Sequence, residues 1–251
     1  MCLIVFAWRP GHALPLLLAA NRDEFHARPS LPLAAWEDAP SIIGGRDLQA
    51  GGTWLGVRSD GRFAALTNIR IGGQPTGRRS RGELVERYLR GELAPADYLA
   101  GLSAGIDDYA GFNLLVGTAR ELWHFNSQSA APRRLEAGVY GLCNADLDTP
   151  WPKLRRARTA LASQLELADT ESLLQLLDDH ERAPDAELPS TGVPLEWERL
   201  LSSVFIASTE YGTRASTALL RWQNGALDIH ERRFGPDGLL GDTRYHLPSR
   251  D

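Results

Sequence analysis

A cysteine occupies the second position of this 251-residue sequence, where removal of the initiator methionine would make it the terminal residue. A terminal cysteine carries a thiol with an ordinary pKa of about 8.5 and an α-amine with an ordinary pKa of about 8. Because the amine can take the thiol proton near neutral pH, one residue can supply both nucleophile and general base. The position of Cys2 is also compatible with a buried, inert cysteine that begins a strand.

Polar groups that could orient the α-amine or stabilise an oxyanion occur in three places. Asn21-Arg22-Asp23-Glu24 follows an apolar stretch that is expected to pair with the Cys2 strand. A carboxylate there could hold the protonated amine, and the arginine could lower the thiol pKa or bind a substrate carboxylate. Asn68 and Asn144 each follow short apolar runs and could donate to an oxyanion. Each of these residues is also ordinary at a solvated strand end or turn.

Other catalytic signatures do not fit this sequence. Residues 101–105 match the nucleophile-elbow expression, but they end a helical pattern instead of joining a strand to a helix. The six histidines include no pair with metal-ligand spacing. We therefore predict no metal site, and the cysteine chemistry requires no cofactor.

The elements that must position these residues are strands at both ends of the chain and helices in the middle. Helices are expected from a capping box at Ser80 and from Pro152. The pattern predicts a single domain over residues 1–251 with sheets packed between helical layers. Alternation and turn residues predict strands over residues 2–8, 14–20, 53–58, 62–68, 112–117, 121–125, 203–207, 213–222 and 226–233.

Composition excludes several classes of protein. A formal charge of −5 and a pI near 5.7 leave no basic surface of the kind that binds nucleic acid. The apolar stretch 14–20 is too short to cross a bilayer, so no integral membrane segment is expected. With Cys2 and Cys143 alone, no disulfide framework is possible, and we predict a cytoplasmic location.

An ordered series of motifs resembles the NRDE family, also called the Transport and Golgi organisation type-two family, almost from end to end. The matching segments are Met1-Cys2-Leu3, Asn21-Arg22-Asp23-Glu24, residues 51–56 (Gly-Gly-Thr-Trp-Leu-Gly), residues 66–68 (Leu-Thr-Asn), residues 80–82 (Ser-Arg-Gly), residues 111–117 (Gly-Phe-Asn-Leu-Leu-Val-Gly), residues 141–144 (Gly-Leu-Cys-Asn) and Thr213-Arg214.

The resemblance implies an α+β fold, a four-layer αββα sandwich of the N-terminal nucleophile hydrolase type, similar to cholylglycine hydrolases and penicillin V acylases. It also implies that Cys2 attacks an amide carbonyl and that Asp23 contacts the α-amine. Asn68 and Asn144 match the positions expected for oxyanion and amine contacts, and Arg214 matches an arginine near the nucleophile.

One departure from the acylase pattern concerns the four contiguous residues of the NRDE motif. Neighbouring strand residues face opposite sides, so Arg22 and Asp23 are not both expected to reach Cys2. Glu24 could replace Asp23 if the strand contains a bulge.

Two functions follow as expectations. The first is a hydrolase or acyltransferase that acts on a non-peptide C–N (amide) bond of a small, partly hydrophobic substrate, with Asn21, Glu24 and Trp54 as predicted substrate contacts. The second, from another class, is a non-catalytic binding or trafficking protein for haem or acyl-lipid ligands.

Overall fold

The structure is a computed structural model that describes residues 2–73, 76–166 and 169–249. Its strands are β1 (Cys2–Trp8), β2 (Leu16–Phe25), β3 (Ser30–Trp36), β4 (Ala39–Asp47), β5 (Leu55–Arg58), β6 (Phe63–Asn68), β7 (Phe112–Gly117), β8 (Leu122–Asn126), β9 (Ala131–Arg134), β10 (Gly138–Leu142), β11 (Tyr211–Arg221), β12 (Leu227–Gly235) and β13 (Gly238–Leu247). Its α-helices are α1 (Gly82–Arg90), α2 (Pro95–Ala100), α3 (Pro152–Ala162), α4 (Thr170–Gln175) and α5 (Leu195–Leu200), and two 3-10 helices span Gly101–Asp108 and Asp185–Glu187.

The chain divides into two compact units that are interleaved in the sequence. The first unit comprises Met1–Ala27, Arg70–Gln74 and Ala137–Asp251, and the second comprises Arg28–Ile69 and Pro75–Glu136. The expectation of one domain over residues 1–251 stays a prediction.

The first unit contains a six-stranded antiparallel sheet in the order β10-β1-β2-β11-β12-β13. Alternate residues of β1 and of the first half of β2 pack with apolar residues of α3 and α4 in one buried cluster: Leu3, Val5, Ala7, Leu17 and Ala19. Leu154, Ala157 and Leu161 of α3 recur at helical spacing and fill this cluster. The side chains that alternate along the strands and those that recur every 3.6 residues along the helices thus pack together on one face of the sheet.

The second unit contains a seven-stranded antiparallel sheet whose strands follow the chain order from β3 to β9. Its helix α1 buries Leu84, Val85, Tyr88 and Leu89 in a cluster with alternate residues of β6 and β7. Each unit therefore pairs one sheet with one set of helices.

The sequence patterns locate most elements correctly. The hairpins β1–β2, β5–β6, β7–β8 and β11–β12 confirm four predicted strand pairs. Among the described residues, no helix is long and apolar enough to cross a bilayer.

Two local expectations are wrong. Residues 203–207 form no strand, because Phe205 N–H donates to Asp179 O and the Val204 carbonyl accepts from the Asn21 side chain. Ser80 does not build a capping box, because its hydroxyl accepts from Gly82 N–H while Glu83 pairs with Arg79.

Candidate active site

Cys2 is the first residue of β1, an inner strand of the first unit's sheet. Its cross-strand partner on β2 is Arg22. Directly opposite residues of an antiparallel pair project from the same face, so the thiol and the guanidinium share one face of the sheet. Only 7% of Cys2 is exposed, so the sulphur lies in a largely dry environment.

Several groups act on the Cys2 thiol. Burial raises its pKa, and the negative charge of Asp23 acts in the same direction. The positive charge of Arg22 and a hydrogen bond from the backbone N–H of Asp23 favour the thiolate. The raised pKa means that this thiol needs a nearby base to become a nucleophile.

Asp23 faces the opposite side of β2 from Arg22, as strand alternation predicts. It nevertheless lies one register step beyond Arg22, at the end of β1 that carries the Cys2 backbone nitrogen. Only 1% of Asp23 is exposed, and Thr213 Oγ1 donates to Asp23 Oδ1 at 2.8 Å. Burial raises the pKa of Asp23, while the charge of Lys153 and the Thr213 hydrogen bond oppose that rise.

Tyr211, the first residue of β11, contacts the backbone of Asp23. Its hydroxyl donates to the backbone carbonyl of Asp23 at 3.0 Å. Burial raises the pKa of Tyr211, and the charge of Asp23 adds to this effect, so the phenol stays protonated and remains a donor.

The two outer residues of the motif have different surroundings. Asn21 is fully buried, and its amide donates to the carbonyls of Leu177 and Val204 at 3.1 and 2.9 Å. Its Oδ1 accepts from Ser216 Oγ at 2.6 Å. Glu24 is half-buried, and one of its carboxylate oxygens accepts from Phe25 N–H at 2.9 Å. Asn21 thus connects β2 to neighbouring segments, and its substrate role stays a prediction.

Arg214 occupies a bulge in β11, where the register against β2 shifts between Thr213 and Ala215. Its guanidinium donates to the carbonyls of Phe25 and His26, both at 2.9 Å, and to that of Phe234 at 3.2 Å. Burial and the neighbouring charge of Arg22 lower the pKa of Arg214. The arginine therefore lies near the Cys2 pair and anchors the end of β2.

The position of this bulge decides one open alternative. It lies on β11, while β2 keeps a regular register through Asp23 and Glu24. The bulge in β2 on which the Glu24 alternative depends is therefore absent from this register.

Asn144 follows β10 and is fully buried. Its backbone carbonyl accepts from Arg70 N–H at 2.8 Å, and its Oδ1 lies 3.3 Å from the Cys143 sulphur. Arg70 forms a buried ion pair with Glu198 at 3.0 Å. The backbone at Asn144 is thus fixed within the first unit.

Asn68 and Trp54 belong to the second unit. Asn68 is the last residue of β6, is half-buried and pairs with Phe112. Trp54 precedes β5 and packs against the apolar cluster of that unit. Their predicted roles at the oxyanion and at the substrate stay predictions.

Sequence reasoning missed Lys153, which contributes to the electrostatics of Asp23. A signal was present: Lys153 is the one lysine among 27 Lys and Arg residues, and it lies in the first turn of a predicted helix. A cation is disfavoured at that end of a helix.

Across residues 2–73, 76–166 and 169–249, no group of three or more His, Cys, Asp or Glu side chains could hold a metal ion.

Solved structures define the class of fold. A C2A variant of conjugated bile acid hydrolase from Clostridium perfringens matches with a TM-score of 0.52 and 7% identity, covering 99% of this chain and 97% of that chain. Another variant of the same enzyme matches with a TM-score of 0.52 and 8% identity, covering 98% and 97%. The α+β fold of the N-terminal nucleophile hydrolase type is thereby confirmed.

The sequence comparisons define the family. The family model described as Transport and Golgi organisation 2 matches residues 1–236, and the chain belongs to this family. The bovine Transport and Golgi organization protein 2 homolog is 34% identical, covering 98% of both chains. The mouse homolog is 33% identical with 92% of both chains covered, and the Drosophila melanogaster protein is 32% identical with 94% of both covered.

Proposed function

We propose that this protein is an N-terminal cysteine hydrolase or acyltransferase that acts on a non-peptide amide bond of a small, partly hydrophobic molecule. The observation that carries the proposal is the register of β1 on β2. It sets Arg22 opposite the Cys2 thiol and Asp23 one step further, beside the end that bears the Cys2 nitrogen. The solved enzymes of similar fold are variants of a conjugated bile acid hydrolase, and conjugated bile acids are small molecules.

The proposed reaction begins after Met1 is removed. The free α-amine of Cys2 takes the thiol proton, and the sulphur attacks the amide carbonyl carbon. The resulting oxyanion is stabilised by the predicted donor Asn144, which belongs to the same unit as Cys2. The ammonium then returns the proton to the leaving nitrogen, the C–N bond breaks, and an acyl-thioester remains on Cys2. Water, or an acceptor amine in a transferase, then attacks the thioester and restores the thiol.

The surrounding residues have separate roles in this scheme. Asp23 holds the protonated amine, and Arg22 favours the thiolate through its charge. Arg214 fixes the end of β2 through three carbonyls. Asn21 and Glu24 are the proposed substrate-side contacts of this unit.

Intact-protein mass and N-terminal sequencing test the proposal when combined with a cysteine-directed acylating probe. We expect a mature chain that begins at Cys2 and gains one probe mass at that residue. Cys143→Ala is the matched control, because the second cysteine is buried in the apolar cluster and should leave labelling unchanged. Cys2→Ala should abolish labelling. Retention of Met1 in active protein would contradict the proposal that the α-amine of Cys2 takes part in catalysis.

A carrier of haem or acyl-lipids remains the alternative, because the relatives are named for transport and Golgi organisation. Haem and long-chain acyl ligands can be titrated against the wild type and Cys2→Ala. Equal, tight binding without product would favour the carrier over the enzyme. A reducing, cytoplasmic compartment suits either function, since both cysteines are free thiols.

A further inference from the structure

Lys153 occupies an energetically unfavourable place. It lies in the first turn of α3, and only 1% of the residue is exposed. Within the described residues its Nζ has no hydrogen-bond partner. An isolated buried ammonium is costly, and a cation at a helix N-terminus opposes the helix dipole. A neighbouring negative charge must therefore offset these costs.

The start of α3 is held firmly against the sheet. Leu154 packs so closely on Gly141 of β10 that a Cβ at the glycine would lie 2.7 Å from the leucine side chain. Trp151, which precedes the helix, lies 4.4 Å beneath the Arg70 guanidinium. The Lys153 backbone is thus fixed in a helix that packs on the sheet, and its side chain is buried.

Asp23 projects toward the face of the sheet that α3 covers. Leu17 and Ala19, which precede it at two-residue spacing on β2, pack in the cluster that contains Leu154. The attraction of Lys153 is the strongest of the influences that lower the pKa of Asp23. Other charged or polar groups that act on or contact Asp23 include Arg22 on β2, Tyr211 and Thr213 on β11, and Cys2 on β1.

We infer that Lys153 is a positioning residue, whose ammonium keeps Asp23 ionised so that Asp23 can hold and orient the α-amine of processed Cys2. This inference rests on the proposed function and adds a group that acts through Asp23 without touching the substrate. Burial alone favours a neutral Asp23, and a neutral carboxyl holds an ammonium poorly.

The choice of lysine agrees with this role. All the other residues among the 27 Lys and Arg of the chain are arginines. An ammonium is a compact point charge on a flexible stem, whereas a guanidinium is a broad planar fork. A compact charge fits a closed site between a helix and a sheet.

A direct measurement at Asp23 does not depend on catalysis. In protein labelled with ¹³C at the aspartate carboxyl groups, the resonance of Asp23, identified by its loss in Asp23→Asn, reports whether this group is ionised. We expect it to titrate at higher pH in Lys153→Met than in the wild type, because the attraction of the ammonium is lost. An unchanged titration of Asp23 would overturn the inference whatever the state of the enzyme.

The functional test compares Lys153→Met with Arg155→Met, the same change at a 58%-exposed cation on the same helix. Lys153→Met should slow formation of the Cys2 probe adduct about tenfold near pH 7, because a neutral Asp23 holds the α-amine poorly. Its rate should also rise at higher pH than in the wild type, since Asp23 then ionises later. Arg155→Met should leave rate and profile unchanged.

The results distinguish a failure of the role of Lys153 from a failure of the proposed enzymatic function. A folded Lys153→Met protein with the wild-type pH profile would overturn the inference alone. If the wild type forms no adduct at Cys2, the proposed function fails and the positioning role fails with it. If Lys153→Met does not fold, Lys153→Gln, which removes the charge but keeps a polar side chain, replaces it in both measurements.

Discussion

The hydroxyl of Thr213 serves two groups at once. It donates to Asp23 Oδ1 at 2.8 Å and accepts from Ile206 N–H at 2.9 Å. The carboxylate of β2 and the segment at Ile206 are therefore held by one oxygen.

Thr213→Val should be destabilising, because it removes a donor to a buried carboxylate and leaves the Ile206 N–H without its acceptor. We expect a loss of about 1–3 kcal/mol in the free energy of unfolding, measured from urea midpoints. Thr217→Val is the matched control on the same strand. Thr217 is equally buried at 1% exposure, but its hydroxyl has no partner among the residues that the structure describes. Its replacement should be neutral or slightly stabilising, and equal losses in both variants would contradict the role of Thr213.

The pH dependence of stability should carry the signature of Asp23. Its pKa is raised in the folded protein, so the unfolded chain releases this proton first as the pH rises. The contribution of Asp23 to the free energy of unfolding therefore falls between about pH 4 and its folded pKa. Asp23→Asn lacks this dependence, so its stability relative to the wild type should improve as the pH rises from 4 to 7. Urea unfolding at several pH values measures this difference, and a constant difference would contradict the raised pKa.

The chemistry of single residues was partly readable from the sequence. Cys2 and Asp23 stand out because their types and positions suit one mechanism, whatever the details of packing. The hydrogen bonds of Asn21 and Arg214 were not readable, since they depend on backbone carbonyls that a pattern of side chains does not locate.

At the scale of elements, two adjacent glycines before β5 show how closely a turn can approach a helix. Gly51 and Gly52 both have positive φ, at 70° and 72°. A Cβ on Gly52 would lie 2.5 Å from the backbone carbonyl group of Gly82, at the start of α1, whereas a Cβ on Gly51 would meet nothing within 4 Å.

Gly52→Ala should therefore cost more than Gly51→Ala. Positive φ alone costs about 1–2 kcal/mol in a residue with a side chain, and this is the loss expected for Gly51→Ala. Gly52→Ala adds a backbone clash that requires α1 or the turn to move. Thermal unfolding of the two variants measures the difference, and equal shifts in Tm would show that the turn tolerates the close contact.

Edge positions account for two of the strands that the sequence did not indicate. β3 is an edge strand that contains Pro32, and a proline is tolerated there because its missing N–H faces no partner. β13 is the edge strand of the first sheet. Its residues are half-exposed or exposed along its whole length, so no alternation of apolar residues predicts it. Periodicity detects strands that are buried, and these two are not.

At the scale of the whole molecule, each sheet has protected inner strands and open edges. β1 and β2 lie inside the first sheet with almost every residue of β1 buried, whereas β9 ends the second sheet with all four residues exposed. Hydrogen exchange should accordingly be slowest at the β1–β2 amides and fastest at the β9 and β13 edges. Rapid exchange of the β1 amides would contradict the prediction that this strand holds Cys2 rigidly.

The α+β class was predictable, because strand and helix periodicities are local properties of the chain. The strand order was not, since the first sheet brings β10 and β11 beside β1 and β2 from more than a hundred residues away. Register depends on such distant pairings, and it decides that Arg22, not Asp23, lies opposite Cys2.

The extra residue at Arg214 fixes how many residues must separate Thr213 from Ser216 on β11. Asp23 and Asn21 are two positions apart and share a face, yet the hydroxyls that bind them belong to Thr213 and Ser216, which are three positions apart. A regular strand would turn one of these hydroxyls away. Deleting a single residue between them would leave either the carboxylate or the amide without its hydroxyl, a defect that no replacement of the Arg214 side chain can produce.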